Sequence, residues 1–393
     1  MPTIRIDQSV PPAQSYRANR VKSLFNATDE QATRFTLNAN LAVDLDGDWS
    51  IGVIVGPSGS GKSSIGRALW GGGAFYEPDG WPEDAPIVDA IAPGGDFDAV
   101  TGALSSAGLG DVPTWLRPYR VLSTGQRFRA DLARVLAEQP PRVVLDEFTS
   151  VVDRQIARVG AGAFAKAWRR TRGKAVLLSC HYDILDWVEP DWVYDTATHR
   201  FQTREAREQE GERPWSRPRI NVEIRVGGWD LWPFFKPHHY LDSGPMIGAK
   251  CYVAFVDGEP VAHLGMGTSS VAARNARGRR VWAVEARACR MVVLPEWQGA
   301  GVGMRFLNHV AQMQLEGHGV LPRRMTTVFH TSHPGLCAGL RRSPAWRQIS
   351  GVLHGVNRKR SRDSLLDSGG VGVGYGGHLR AVQGFRYYGK VSG

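Results

Sequence analysis

The chain has 393 residues, 42% of them apolar and 22% charged, and a net charge of +10. A single hydrophobic core stops growing at about 250–300 residues, so two domains are expected. No apolar run reaches the roughly 20 residues of a membrane span, and the start, Met1-Pro2-Thr3-Ile4-Arg5, has no apolar signal segment. The expectation is a cytoplasmic protein with no membrane segment. Cys180, Cys251, Cys289 and Cys337 are scattered without a C-x-x-C pair, which argues against a zinc site or disulfide framework. The charge is divided: residues 1–218 carry 25 basic and 28 acidic side chains, and residues 219–393 carry 23 and 10. The surplus in the second half points to a polyanion, either nucleic acid or a phosphate-bearing cofactor; the alternative is a general arginine bias with no partner.

In chain order, residues 1–25 read as a lead-in with one short strand, and residues 34–41 as a strand. Asp46-Gly47-Asp48 turns into the apolar run Ile51-Gly52-Val53-Ile54-Val55. Gly56-Pro57-Ser58-Gly59-Ser60-Gly61-Lys62-Ser63-Ser64 follows and opens into a helix. This is a P-loop, G-x-x-x-x-G-K-[ST], in its strand–loop–helix context. Its glycines let backbone N–H groups turn around a phosphate, Lys62 reaches the β/γ-phosphates, and Ser63 offers a hydroxyl to Mg²⁺. From Leu69 to Arg120 the sequence predicts irregular structure with short helices. A helix is then predicted after Leu122-Ser123-Thr124-Gly125-Gln126, and an apolar strand ends in Asp146-Glu147.

These motifs resemble the ATP-binding-cassette (ABC) ATPases. The stretch 122–126 departs from their LSGGQ signature only at Thr124, and Asp146 and Glu147 match the Walker B aspartate and catalytic glutamate. Val151-Val152-Asp153 falls at the D-loop, and Leu178-Ser179-Cys180-His181 at the switch histidine. The resemblance implies ATP and Mg²⁺ as cofactors. Ser63 and Asp146 would hold the metal, and Glu147 and His181 would act in hydrolysis. Ser123, Gly125, Gln126 and Asp153 would meet the nucleotide of the other protomer in a head-to-tail homodimer. No glutamine occurs between Gln31 and Gln126, where transporter cassettes carry the loop that docks their membrane subunit, so a transporter role is disfavoured.

Residues 204–218 are charged and lack apolar periodicity, and are expected to link domains spanning residues 1–203 and 219–393. A strand over 221–226 and a broken, aromatic-rich helix over 230–240 come next. Residues 251–256 and 260–266 flank Asp257-Gly258, a hairpin signal. A long strand, residues 281–294, leads into Gln298-Gly299-Ala300-Gly301-Val302-Gly303 and an amphipathic helix over 304–316.

This second half resembles the GCN5-related N-acetyltransferases (GNAT), whose Q-x-x-G-x-G loop binds the pyrophosphate of acetyl-CoA. The implied architecture is a P-loop ABC-type α/β ATPase domain followed by an α+β GNAT-fold acyltransferase domain, with acetyl-CoA or another acyl-CoA on residues 298–303. Glu285 is the candidate base; its alternative is an ion pair with Arg287 or Arg290. The family's tyrosine acid has no counterpart, and His330, Ser332 and His333 stand in that region. Pro237-His238-His239-Tyr240-Leu241 resembles a stretch of the Mom-type acetyltransferase relatives that modify DNA bases. The basic clusters 274–280 and 358–362 are candidate nucleic-acid contacts or solvated loops. The glycine-rich run 369–377 precedes a closing strand or hairpin over 378–388.

Overall fold

A computed structural model describes residues 3–25, 34–78, 80–239, 244–246, 248–274, 278–352 and 381–389. The cluster 358–362, the run 369–377 and the pair Tyr240-Leu241 lie outside the described residues. The first part of the chain forms β1 (Thr3–Ser9), α1 (Tyr16–Phe25), β2 (Arg34–Asn40), β3 (Ile51–Val55) and α2 (Lys62–Trp70). Helices α3 (Ile87–Ala90), α4 (Phe97–Ser106), α5 (Val112–Trp115) and α6 (Thr124–Glu138) follow. Then come β4 (Arg142–Leu145), α7 (Arg154–Trp168), β5 (Lys174–Ser179), α8 (Ile184–Val188), β6 (Trp192–Asp195), β7 (Arg200–Thr203) and α9 (Arg204–Gln209). The last part holds β8 (Glu223–Gly227), α10 (Trp232–Phe235), β9 (Lys250–Val256), β10 (Glu259–Arg274), β11 (Arg280–Val293) and α11 (Val302–Glu316). It ends with β12 (Thr327–Thr331), α12 (Pro334–Arg342), β13 (Trp346–Val352) and β14 (Val382–Tyr387).

Two compact units result: Met1–Gly80 with Glu138–Pro218, and Trp81–Ala137 with Arg219–Gly393. In the first, a sheet of order β4-β5-β3-β6-β7 is parallel except for β7. Its strands are apolar runs because helices and a second sheet cover them. The hairpin β1–β2 places Ile4, Ile6, Leu37 and Ala39 in one core with Ile54, Val144, Leu178 and Tyr194. Against the other parts of the unit α7 buries Phe164 and Trp168. Residues 204–218, expected as a linker, fold back onto this unit. Thr203 caps α9, the Arg207 guanidinium lies 4.6 Å over the Trp215 ring, and Asp186 Oδ1 accepts from the Ser216 N–H. The buried indole of Trp215 supplies the apolar anchor that a reading of charges alone passes over.

The second unit is built on a seven-stranded sheet of order β13-β14-β12-β11-β10-β9-β8. Asp257 and Gly258 both have positive φ, 52° and 87°, so the β9–β10 hairpin closes as its sequence predicts. Helix α11 buries Val302, Phe306, Leu307 and Val310 in a core with Met266, Ala286, Ala288 and Phe329. Residues 81–137 belong to this unit, with α4 packed on α12. Here Trp81 and Tyr119 stack at 4.8 Å and both donate to the Asp131 carboxylate, which fixes α6 by its outer face.

Candidate nucleotide site and a second glycine loop

In the first unit, the parallel sheet brings the ends of β3, β4, β5 and β6 to one edge, where ligands of such sheets collect. The P-loop leaves β3. Asp146 and Glu147 follow β4, and His181 lies just past β5. The sheet inserts β5 between the acidic strand β4 and the P-loop strand β3, so His181 comes from the strand adjacent to the P-loop.

Gly56, Gly59 and Gly61 have φ of 144°, 76° and 89°, which side chains rarely adopt. A Cβ at Gly56 would lie 1.9 Å from Thr196 Oγ1, whereas one at Gly59 would meet open space. The loop is therefore fixed at its root and open at its tip. Thr196 builds the root: its hydroxyl donates to Val55 O (3.1 Å) and shares a 2.6 Å hydrogen bond with Ser60 Oγ. No sequence motif singles Thr196 out. Lys62 is buried, and its ammonium donates to Gly56 O (2.9 Å) and Pro57 O (2.8 Å). A buried cation held by its own loop's carbonyls, beside an open ring of glycines, fits a phosphate whose oxygens replace those carbonyls. Pro57 and Ser58 are exposed at the tip, and Ser63 and Ser64 stand half-buried in the first turn of α2.

Glu147 is exposed with φ of 48°, and its N–H donates to Asp146 Oδ1 at 2.9 Å. Its strained backbone is held from both sides: Phe148 N–H bonds to Leu178 O, and Ser179 Oγ donates to Phe148 O. Among the described residues no three His, Cys, Asp or Glu side chains gather as a metal site. Ser63 and Asp146 are hard oxygen donors suited to Mg²⁺ that keeps water and nucleotide oxygens as its remaining ligands. Asp153 Oδ1 accepts from Gln155 and Ile156 N–H, both at 3.0 Å, and so caps α7. Nearby, Tyr182 Oη donates to Asp195 Oδ1 at 2.8 Å; burial and this bond push the phenol up to about 12.

In the second unit, residues 122–126 form a reciprocal cap. Ser123 Oγ accepts from Gln126 N–H (3.3 Å), and Gln126 Oε1 accepts from Ser123 N–H (3.0 Å). Ser123 is exposed at the start of α6, with Gly125 and Gln126 half-buried behind it.

The loop 298–303 joins β11 to α11. Gly299 and Gly301 have φ of 91° and 80°. A Cβ at Gly301 would meet nothing within 4 Å, while one at Gly303 would lie 3.1 Å from Met291 Cε and Val293 Cγ2. Gly301, the N-cap of α11, thus borders open space, and Gly303 lets the helix close on β11. Val302 is buried, Ala300 half-buried and Gly299 exposed. Gln298 is spanned: its Nε2 donates to Val293 O (2.9 Å), and its Oε1 accepts from Gly110 N–H (2.8 Å). His333 Nε2 donates to Gly110 O (3.1 Å), and Arg129 Nη1, on α6, donates to Pro295 O (2.6 Å). The loop is therefore seated on residues far away in the chain, and no motif in the sequence announces these partners.

Beside the loop, β11 bulges at Arg290 (φ 50°), where its register with β10 shifts. Buried His263 holds the bulge, its Nδ1–H donating to Arg290 O at 3.1 Å; burial keeps its basicity below the ordinary histidine value. Strand β12 pairs with β11 only over Ala286–Ala288. A cleft of about 100 Å³ lies there and is lined by His239, Arg287, Cys289, Arg290 and His330, among others. Glu285 is buried, 6% exposed, and its Oε2 accepts from Arg386 Nε at 2.9 Å. The ion-pair alternative is realised, with Arg386 of β14 rather than Arg287 or Arg290 as partner. Of the three candidate acids, Ser332 donates to Ala381 O and His333 caps α12, so His330 is the one that lines the cleft.

The geometry of the first unit defines a P-loop nucleotide site with a carboxylate pair and a histidine at one sheet edge. No protein-family model matches the chain. It is 34% identical to the cytochrome c biogenesis ATP-binding export protein CcmA of Rhodospirillum rubrum, over 34% of this chain and 68% of that protein. It is 33% identical to the protein of the same description from Paramagnetospirillum magneticum, over 34% of this chain and 75% of the other. A bacterial ABC transporter cassette solved as a dimer is similar at 14% identity, covering 43% of this chain and 92% of that one, with a TM-score of 0.35. The chain belongs to the ABC ATPases; it is an ATP-binding protein whose relatives support ATP hydrolysis with Mg²⁺. No described helix is long and apolar enough to cross a membrane.

Proposed function

We propose that this ABC ATPase controls an N-acyltransferase carried in its second unit. That unit would have the GNAT fold, take acetyl-CoA or another acyl-CoA, and act on an amine of a macromolecular acceptor, nucleic acid being the leading candidate. The observation that carries the reading is the 298–303 loop: two left-handed glycines and a helix N-terminus, beside a cleft opened by the bulge at Arg290. Backbone N–H groups of this loop would hold the cofactor's pyrophosphate, and the acyl thioester would reach into the cleft. The acceptor nitrogen attacks the thioester carbonyl, the C–N bond forms and the C–S bond breaks. His330 or Glu285 takes the amine proton, and the departing thiolate is protonated from solvent. Glu285 is the weaker candidate, because Arg386 holds one of its oxygens.

The ATPase side follows the same residues. When ATP and Mg²⁺ are bound they supply the phosphoanhydride and charge neutralisation. Lys62 and Ser63 hold the phosphates, Asp146 the metal, Glu147 orients water, and His181 contacts the terminal phosphate. Residues 123–126 of a second copy would complete the site in a head-to-tail homodimer. Control over transfer is supported by α6, one helix that begins at the signature and presents Arg129 to the Pro295 carbonyl. Closure of the dimer on Ser123 would shift the seat of the 298–303 loop.

Calorimetry of acetyl-CoA on the full chain, with and without a non-hydrolysable ATP analogue, tests this. Binding that changes with the analogue is expected; absence of acetyl-CoA binding in both states overturns it. A pH–rate profile of His330→Asn against Glu285→Gln assigns the base. A second reading, an ATP-binding subunit of an export system, is favoured by the names of the two relatives. Co-purification of a stoichiometric membrane protein would establish it in place of the first.

A further inference from the structure

The β10–β11 hairpin outgrows its sheet. Strand β9 parts from β10 after Met266, and β12 meets β11 only over Ala286–Ala288. Beyond those points the two strands pair with each other alone among the described residues, from Thr268↔Ala286 to Arg274↔Arg280. At about 3.3 Å per residue, this ribbon reaches roughly 20 Å past the sheet.

Its composition is one-sided. Residues 268–284 include four arginines and no Asp or Glu, and the next carboxylate, Glu285, is neutralised by Arg386. One face continues the buried positions Met266 and Ala288 outward as Thr268, Ser270 and Ala272 opposite Val284 and Trp282. All five are exposed, and Trp282 is 72% exposed, an unusual position for an indole at the tip of a ribbon. Arg279 is exposed at the same end.

We infer that this ribbon is a DNA-contacting element, seated in the major groove of a duplex; the inference rests on the nucleic-acid reading of the acceptor. The B-form major groove, about 12 Å wide and 8.5 Å deep, admits a two-stranded ribbon. The deep, narrow groove of duplex RNA does not. Arg279 meets phosphates, the hydroxyls of Thr268 and Ser270 bond to phosphate or sugar oxygens, and Ala272 leaves the backbone room to approach. Trp282 and Val284 supply apolar contact to base edges. The lack of any unpaired carboxylate along the ribbon favours a polyanion over a protein partner.

Fluorescence anisotropy of the full chain on a labelled DNA duplex, between about 50 and 200 mM salt, provides the test. Wild type is expected to bind with affinity that falls as salt rises. The double variant Arg279→Ala/Trp282→Ala is expected to lose at least about tenfold and to flatten the salt slope by about one. Thr268→Glu, a single exposed substitution, should weaken binding in the same direction, and an unchanged ATPase rate shows that both variants are folded. Wild-type affinity in both variants overturns the ribbon as the contact and leaves the nucleic-acid reading standing. Tighter binding of single-stranded DNA or duplex RNA overturns the groove assignment. No binding of any nucleic acid by wild type at low salt overturns both.

Discussion

Residues 56–63 and 298–303 are the same device built twice: a strand, left-handed glycines, and a helix N-terminus. They differ in what completes them. The first carries its own cation: Lys62 is buried in the loop and bonded to the loop's carbonyls. Its root rests on one hydroxyl at the end of the neighbouring strand, Thr196. The second has no lysine, and its one polar side chain, Gln298, is spent on Val293 O and Gly110 N–H. Only backbone N–H groups are left there for an anion. A loop with a built-in charge needs little from the rest of the protein; a loop without one depends on whatever holds its backbone, and here that is the arm of residues 81–137, through Gly110 and Arg129. The first loop is thus fixed by its own residues, and the second by its neighbours.

The largest expected effect breaks the first loop. Lys62→Ala should lower the ATPase rate by about 10²–10³-fold, since it removes a preorganised charge at the transferred phosphate. A steady-state assay with wild-type turnover would refute the role given to Lys62. Next in size is Gly301→Glu. The position is open to a side chain, so the fold should survive at a backbone cost of about 1 kcal/mol. The carboxylate would face the anion site, and acyl-CoA binding by calorimetry should fall at least tenfold, while Gly301→Asn, which tolerates this φ, should bind. Equal binding by Gly301→Glu removes the loop from the cofactor site.

The third prediction turns on the seat of the second loop. Gly108 has φ of 82°, and a Cβ there would lie 2.5 Å from Gln298 O. Gly108→Ala should therefore shift the loop or the arm and destabilise their packing by about 2 kcal/mol. Acyl-CoA affinity should drop while ATP binding at Lys62 is kept. If thermal unfolding and both affinities are unchanged, the arm does not hold the loop.

The two loops were also unequally legible. Residues 56–63 could be read fully because every required property is local: glycine conformations, the lysine and the preceding apolar run lie within a few residues. The left-handed glycines of 298–303, the hairpin turn Asp257-Gly258 and helix α11 were legible for the same reason. Thr196, Arg386 and Gly110 were not, because each acts through a neighbour more than 100 residues away, and nothing in their own surroundings is unusual. Residues 204–218 misled through composition: a dense charge pattern reads as solvated, yet Arg207 pairs with Glu212 and lies over Trp215, and Glu210 and Glu212 both pair with Arg200 of β7. The order of strands hid β5 between β3 and β4, since sequence spacing says nothing about which parallel strand lies beside which.

The smallest effect probes the same seat by pH. His333 Nδ1 accepts from Leu336 N–H, a bond that needs the neutral ring, while its Nε2–H donates to Gly110 O in either protonation state. Burial lowers its basicity from the ordinary histidine value of 6.5, and the bond to Gly110 O only partly opposes this. Below that value the unfolded chain takes up a proton that the folded chain refuses, so folding stability from this group is full above about pH 6.5 and is lost as pH falls through the lower folded value. Losing the ring altogether, His333→Ala, should cost about 1 kcal/mol for the missing helix cap. His333→Asn keeps a cap acceptor but does not titrate, so its unfolding midpoint should vary less with pH than wild type over roughly pH 5–7. Acyl-CoA affinity of wild type should weaken over the same window while Lys62-dependent ATP binding does not. Parallel loss of both would mean that the acid response belongs to the whole fold and not to the cap that His333 places on α12.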